Sequence, residues 1–505
     1  MGEKLALFLL AAGFSAVTAH LSLSAERVVA VLPLRVRLAM APISCVTYLG
    51  QMVCPWNLAA HYPYSEEGPP GWRVAAAGVV LGAISVGVWL VRRKRPYVLV
   101  GWLWYVVTVL PVIGLIPAGN QMRADRYTYL PQIGLSVALV WAVGGMWVSW
   151  PQRGKLGAAA GGVVVAVLMA LAWRQTSYWR DSEMLWRHAL TCTQDNAVAH
   201  EHLADALRPL ARDAAARQDY PLAQARIAEA KEQHQKALAI MPRNLPSLCN
   251  LGEILSHEGQ VDEAIGLFAL AIAVNPKVAD VHYNLANALL GKGSVDEAMA
   301  SYRRALTVSP KFAPAHNNLA NLLASTGKVE EAVGQYRQAI EANPRYVDAY
   351  NNLGDVLLKQ GKVEEAEANY RRALEIEPKL AATYKNLGDV RREKGDLDTA
   401  VEYYRRALQT DAHNLPACNN LGDVLNRQGK IDEAIEVYQQ AVGMAPQSVV
   451  VRYNLGICLE RKGKRDDALA CFQKALELAE GQKDAGTAEV IREKIKALSD
   501  GPRGP

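Results

Sequence analysis

Hydrophobic and small residues recur through the C-terminal half of this 505-residue chain with a period of 34, seven times between Leu245 and Gln482, without insertion or deletion. The pair Leu251/Gly252 returns as Leu285/Ala286, Leu319/Ala320, Leu353/Gly354, Leu387/Gly388, Leu421/Gly422 and Leu455/Gly456. Beyond each leucine stands a trio of alanine, aromatic and alanine, from Ala264/Phe268/Ala271 to Ala468/Phe472/Ala475. Spacings of three and four put each trio on one helical face. The small residues let two antiparallel helices approach, and the aromatic fills the gap beside them. Pro276, Pro310, Pro344, Pro378 and Pro446 stop each second helix, because proline cannot continue one. Such a period predicts an all-α solenoid of stacked helix pairs. Ala412 and Glu480 replace the proline in two repeats, where a looser turn is expected.

The N-terminal part has no such period. Apolar runs long enough to cross a bilayer fall at Leu5–Leu23, Ala39–Trp56, Val74–Val91, Tyr97–Pro117, Tyr129–Val148 and Leu156–Trp173, and predict a multi-span helical membrane domain of six spans. Ser44, Thr47 and Gln51 dilute the second. Residues 1–175 are thus expected as membrane domain, 176–244 as linker helix and irregular first repeats, 245–482 as seven regular repeats, 483–499 as a capping helix and 500–505 as a disordered tail. Trp173 to Thr193 is expected to carry the last span's helix into solvent. Leu203/Ala204 and Ala230/His234/Ala237 fit the repeat only if longer helical arms around Arg208–Ala223 absorb extra residues.

The repeat spacing resembles the tetratricopeptide repeat over about half the chain, which implies a helical solenoid that binds peptides or proteins.

Charge divides the chain near residue 180: 15 Lys and Arg against 5 Asp and Glu before it, 40 against 45 after it. Arg27, Arg35 and Arg37, then Arg92 to Arg95, then Arg153 and Lys155 mark alternate loops as cytoplasmic. The remaining loops are near neutral, so the repeats are expected outside: periplasmic at a bacterial inner membrane, luminal in a eukaryote. On this assignment the first span enters from outside behind a short Met-Gly-Glu-Lys terminus, which leads us to expect that upstream spans have been lost. No basic face with interleaved aromatics lies on the solenoid, which excludes nucleic acid as partner. The seven cysteines show no metal-ligand spacing and no disulfide framework; Cys458 and Cys471 are expected as separate thiols.

An asparagine precedes the recurring leucine in every regular repeat: Asn250, Asn284, Asn318, Asn352, Asn386, Asn420 and Asn454. A row of side-chain amides offers donors and acceptors at repeat spacing, suited to gripping an extended peptide backbone. It resembles the groove of O-linked N-acetylglucosamine transferase. The other reading of the same row is packing and hydrogen bonding between helices. Glu253, Asn287, Asn321, Asp355, Asp389 and Asp423 follow three positions later.

In the membrane half, Arg123, Asp125 and Arg126 stand between two spans. Guanidinium groups pair bidentately with phosphate oxygens, so these residues fit a polyprenyl-phosphate sugar; equally, they suit interfacial anchoring beside Tyr127 and Tyr129. The outer segment Pro55–Tyr64, with His61, Tyr62 and Tyr64, reads better as a turn than as a substrate site.

Tyr48-Leu-Gly-Gln-Met, Pro55-Trp-Asn-Leu with Tyr62-Pro63, Leu110-Pro-Val-Ile-Gly-Leu and Ala124-Asp-Arg-Tyr-Thr-Tyr-Leu-Pro131, followed by the repeats, resemble the transmembrane-and-tetratricopeptide O-mannosyltransferases. The resemblance implies a GT-C glycosyltransferase fold, a polyprenyl-phosphate sugar donor, no other cofactor, and repeats that present extracytoplasmic acceptor protein. The family's early acidic loop has no counterpart here, so no residue is assigned as catalytic carboxylate and no metal is implied. A non-catalytic membrane scaffold for envelope proteins is the alternative.

Overall fold

In a computed structural model, residues 34–53, 58, 59, 62, 68–110, 129–147 and 154–500 are described. They are helical almost throughout and fall into two compact units, Met1–Pro276 and Lys277–Pro505. The boundary cuts the regular array after its first repeat, so it differs from the expected divisions at 175 and 244. A solenoid has only nearest-neighbour contacts, and compactness alone can divide it between any two repeats.

The first unit begins with α1 (Leu34–Val53), α2 (Gly71–Val91), α3 (Pro96–Val109), α4 (Tyr129–Trp147) and α5 (Gly154–Ser177). Tyr48, Val88, Trp102, Tyr105 and Val109 form a core shared by α1, α2 and α3, with Leu135 of α4 packed against it, and the Tyr105 hydroxyl donates to the Cys45 carbonyl at 2.7 Å. Helices α3 and α4 meet at glycines: a Cβ on Gly101 would lie 2.5 Å from the Gly134 carbonyl oxygen, and one on Gly134 2.6 Å from the Trp104 ring. Such backbone approach is typical of helices packing in a bilayer.

Of the six expected spans, Leu5–Leu23 lies outside the described residues. Only α2 among the described helices is both long and apolar enough to cross a membrane, with 21 residues, a mean hydropathy of 2.3 and 11% of its apolar stretch buried. Pro96–Val109, Pro131–Ala142 and Gly161–Ser177 are further apolar stretches of α3, α4 and α5. Pro96 opens α3, at the first turn where its missing N–H costs nothing. Val79, Val86, Leu90, Val140 and Val163 nonetheless point outward from α2, α4 and α5.

The expected continuous helix from Trp173 to Thr193 breaks. Helix α5 ends at Ser177, and α6 (Ser182–Cys192) starts anew because Asp181 takes an extended backbone and caps it, accepting from Met184 N–H at 2.8 Å. Two long helices follow, α7 (Ala197–Ala216) and α8 (Tyr220–Ile240), of 20 and 21 residues where regular pairs have 13 and 14. About two extra turns on each helix absorb the insertion. The unit closes with α9 (Leu245–His257) and α10 (Val261–Val274).

The second unit continues the pairs: α11 (Ala279–Gly291), α12 (Val295–Val308), α13 (Ala313–Ser325), α14 (Val329–Ala342), α15 (Val347–Lys359), α16 (Val363–Ile376), α17 (Ala381–Glu393), α18 (Leu397–Thr410), α19 (Leu415–Arg427), α20 (Ile431–Met444), α21 (Val449–Arg461) and α22 (Arg465–Gly481). Within each pair the turn is made by a glycine in the left-handed region, from Gly293 (φ 86°) to Gly463 (φ 82°). The aromatics Tyr302, Tyr336, Tyr370, Tyr404, Tyr438 and Phe472 are at most 2% exposed, each contributing roughly 1.5–3 kcal/mol of burial. Their rings press on the small residue after each leucine: a Cβ on Gly354 or Gly388 would lie 2.5 Å from the facing tyrosine.

The two proline replacements behave differently. Helix α18 still ends at Thr410, because Asp411 accepts from His413 N–H at 3.0 Å and Asn414 caps α19. Where Glu480 stands, α22 runs on for 17 residues instead of 14. Helix α23 (Ala485–Asp500) then covers the last pair with Ala488, Ile491, Ile495 and Leu498. The expected tail lies outside the described residues apart from Asp500.

The candidate protein-binding face

The first helix of each pair carries the asparagine row, and its amides are held by neighbouring side chains. In the second unit Asn318 donates to the Tyr283 hydroxyl at 3.1 Å, Asn352 to Asn317 at 3.0 Å, Asn386 to Asp355 at 2.7 Å, Asn420 to Asp389 at 2.8 Å and Asn454 to Asn419 at 3.0 Å. Asn284 is half-buried and also engaged. In the first unit Asn250 donates to Asp205 at 2.7 Å and accepts from Arg208. The amide N–H groups named here therefore bind between successive repeats.

Sequence reasoning missed the other half of this ladder. The buried tyrosine of each pair donates its hydroxyl to the residue three positions after the asparagine: Tyr302 to Asn287, Tyr336 to Asn321 at 2.6 Å, Tyr370 to Asp355 at 2.6 Å and Tyr404 to Asp389 at 2.6 Å. Asp355 and Asp389 thus each accept a tyrosine and the asparagine of the next repeat on one oxygen. Burial pushes the Tyr302 and Tyr336 hydroxyls up to about 12, and those of Tyr370 and Tyr404 up further, where the accepting aspartates add to the effect. All remain protonated donors at neutral pH. The pattern ends at Asp423, which pairs with Arg427 at 3.0 Å while Tyr438 turns to the Asn419 carbonyl.

One hollow of about 390 Å³ opens on this face, lined by Asn287, Leu290, Gly291, Tyr302, Asn318, Asn321 and Leu322. Leu290 is 38% exposed at its floor. Gly291 makes the room: the same repeat position holds Ser325, Lys359, Glu393, Arg427 and Arg461 further along. An apolar floor edged by amides suits an extended polypeptide, with one aliphatic or aromatic side chain in the hollow and its backbone against those amides.

Charge on the face is largely compensated. Asp389 faces Lys385 at 3.1 Å and Arg392 at 3.7 Å. On the second helices, Glu367 is 5% exposed and paired with Arg371, Arg391 and Lys394.

Arg123, Asp125 and Arg126 lie outside the described residues. Of the outer segment, Tyr62 is 6% exposed and its hydroxyl accepts from Ala59 N–H and Gln51, each at 3.0 Å, while His61 and Tyr64 lie outside the described residues. Ala59 and Tyr62 pack with Ala189 and Ala199 of the first repeats. None of the described cysteines is in a disulfide, Cys458 and Cys471 included. Burial pushes the Cys458 thiol up to about 11.

Comparison with known proteins agrees with this geometry. Profiles described as tetratricopeptide repeat match residues 249–315, 345–412, 391–437 and 415–481, and a TPR-repeat profile matches 320–361. These residues are tetratricopeptide repeats. Among curated proteins, protein O-mannosyl-transferase TMTC1 of Mus musculus is 28% identical over 166 residues, 32% of this chain and 16% of that protein. TMTC1 of Homo sapiens is 29% identical over 167 residues, 32% of this chain and 17% of that protein. The chain thus spans about a sixth of the length of these relatives. Solved structures with similarity include YrrB, a TPR protein with an unusual peptide-binding site (25% identity, TM-score 0.32, 38% of this chain and 97% of that one). Yeast Tom70 is another (17% identity, TM-score 0.41, 56% and 62%).

Proposed function

We propose that this chain is a membrane-anchored capture protein whose repeats hold extracytoplasmic polypeptides and present them for glycosylation from a polyprenyl-phosphate sugar. The hollow at Leu290, Gly291 and Leu322, set inside the row of Asn287, Asn318 and Asn321, carries the reading. It combines an apolar seat with side-chain amides at repeat spacing. Helix α2 and the outward apolar side chains of α4 and α5 support a bilayer as the other partner. The charge of Arg92 to Arg95 supports placing the repeats outside, in the periplasm of a bacterium. The partial similarity to protein O-mannosyl-transferases supports glycosyl transfer as the purpose of capture, with Arg123, Asp125 and Arg126 as holders of donor phosphate. No side chain of this chain is assigned as catalytic carboxylate.

The test is binding of extended peptides bearing one large apolar side chain to the full chain in detergent. Leu290→Asp should weaken binding about tenfold, the worth of roughly 1.4 kcal/mol, while Glu341→Lys on another surface leaves it unchanged. Replacing the row's asparagines by alanine is the poorer test, because it also removes bonds between repeats. Equal affinity of the Leu290→Asp protein would refute the seat. Intact binding without any sugar transfer in membranes supplied with labelled polyprenyl-phosphate mannose would leave a scaffold for envelope proteins.

A further inference from the structure

We propose that Glu201, His202 and Asp205 of α7, with His234 of α8, form a binding site for a divalent transition-metal ion. The site does not depend on the protein-binding reading. Glu201, His202 and Asp205 offer a carboxylate oxygen, an imidazole nitrogen and a second carboxylate oxygen, all within 4.8 Å of one another. They stand on successive turns of one helix, where side chains three and four apart converge.

The independent observation is His234. It is fully buried, and its Nε2 has no hydrogen-bond partner. That nitrogen lies 3.8 Å from Asp205 Oδ1, too far for a hydrogen bond. Two ligands at about 2.1 Å from one tetrahedral zinc stand roughly 3.4 Å apart, so side-chain movements of under about 1 Å suffice to seat an ion between them. His234 Nδ1 lies 3.3 Å from the Ser247 hydroxyl, which fixes the ring with Nε2 turned toward the cluster.

The surroundings suit a cation. Arg208 is paired with Glu253 at 2.6 Å, so its charge is already partly compensated beside the cluster of Glu201, His202 and Asp205. Asn244 donates to one Glu201 oxygen at 2.7 Å and Asn250 to one Asp205 oxygen at 2.7 Å, leaving lone pairs on both carboxylates. Such outer hydrogen bonds orient metal ligands. Burial raises both carboxyl pKa values, and burial with the nearby Arg208 lowers that of His234 to about 4, keeping its imidazole neutral, the form that ligates. Mixed nitrogen and oxygen donors select zinc and its neighbours over calcium. An ion here would join α7 to α8 in the first long pair, where the repeats leave the membrane half.

The full chain, purified in detergent and stripped with chelator, is titrated with Zn²⁺ by calorimetry and with Co²⁺ by visible absorption. The expected result is about one equivalent bound per chain, with an intense Co²⁺ band typical of low coordination. His202→Ala and Glu201→Gln should each weaken binding at least about tenfold. The His202 side chain is 42% exposed, so its removal spares the core, and unchanged circular dichroism confirms the fold. The competing thiol pair is Cys192 and His188, whose Sγ and Nε2 lie 3.5 Å apart; His188→Ala must leave the titration unchanged. Absence of binding, unchanged binding in His202→Ala and Glu201→Gln, or loss of the ion in His188→Ala would each overturn the site.

Discussion

Removing the Tyr404 hydroxyl tests the ladder at a well-defined node. The ring is fully buried, and its hydroxyl donates to Asp389 Oδ1 at 2.6 Å, the oxygen that also accepts from Asn420 at 2.8 Å. Tyr404→Phe keeps the ring against Gly388 and deletes only this bond. A hydrogen bond to an ionised acceptor contributes roughly 1.5–3 kcal/mol. The Asp389 side chain is 15% exposed and already faces Lys385 and Arg392, so we take the middle of that range, about 2 kcal/mol. In a linear array the effect stays in the pairs that share the node. Amide hydrogen exchange of the full chain should therefore show amides of α17, α18 and α19 exchanging about thirtyfold faster, with the amides of α11 and α12 unchanged. Tyr403→Phe, one residue away and outside the ladder, is the control. Unchanged exchange in α17–α19, or acceleration spread evenly over the array, would refute the reasoning.

Gly456→Ala puts a Cβ 2.6 Å from the Phe472 ring and should cost about 1–3 kcal/mol, read as a lower Tm. Gly443→Ala, a helical position with open space around it, should instead raise Tm by the equivalent of about 0.5–1 kcal/mol. Gly327→Ala forces a Cβ onto a left-handed turn at φ 80° and should destabilise by about 1–2 kcal/mol, seen as faster exchange at the end of α13. His234 is buried with its pKa lowered to about 4. The unfolded chain then binds its proton first, so the neutral ring's contribution is complete above about pH 6.5 and is lost as pH falls from there toward 4. In metal-free buffer the wild type should lose up to about 3 kcal/mol relative to His234→Gln across that window, followed by urea melts.

Much of the repeat architecture was legible because small and aromatic positions at fixed spacing leave one packing solution. Ala298, Tyr302 and Ala305 could only face a partner helix. The glycines at the inner turns were equally visible at spacing 34, from Gly259 to Gly463, but mean something only once φ is known. The asparagine row was legible as a face and not as a set of bonds, since a residue's place on a helix does not name the side chain across from it. Asn386 finds Asp355 because the next repeat brings it there. The hollow depended on an absence, Gly291 where its counterparts carry side chains. The break at Tyr178 went unseen because the run through Trp173 stays helix-compatible until Asp181 caps a new start. In the N-terminal half the apolar runs were legible as helices, but run length does not mark where they start: Pro96 opens one and Gly154 another.

The most direct test of the capture reading places a photo-activated crosslinking amino acid at Asn321, beside the hollow, or at Glu341, in the intact chain in living cells. The account predicts adducts at Asn321 with exported polypeptides that have lost their signal sequences, and none at Glu341. Adducts only with cytosolic proteins, or equal yields from the two positions, would contradict it.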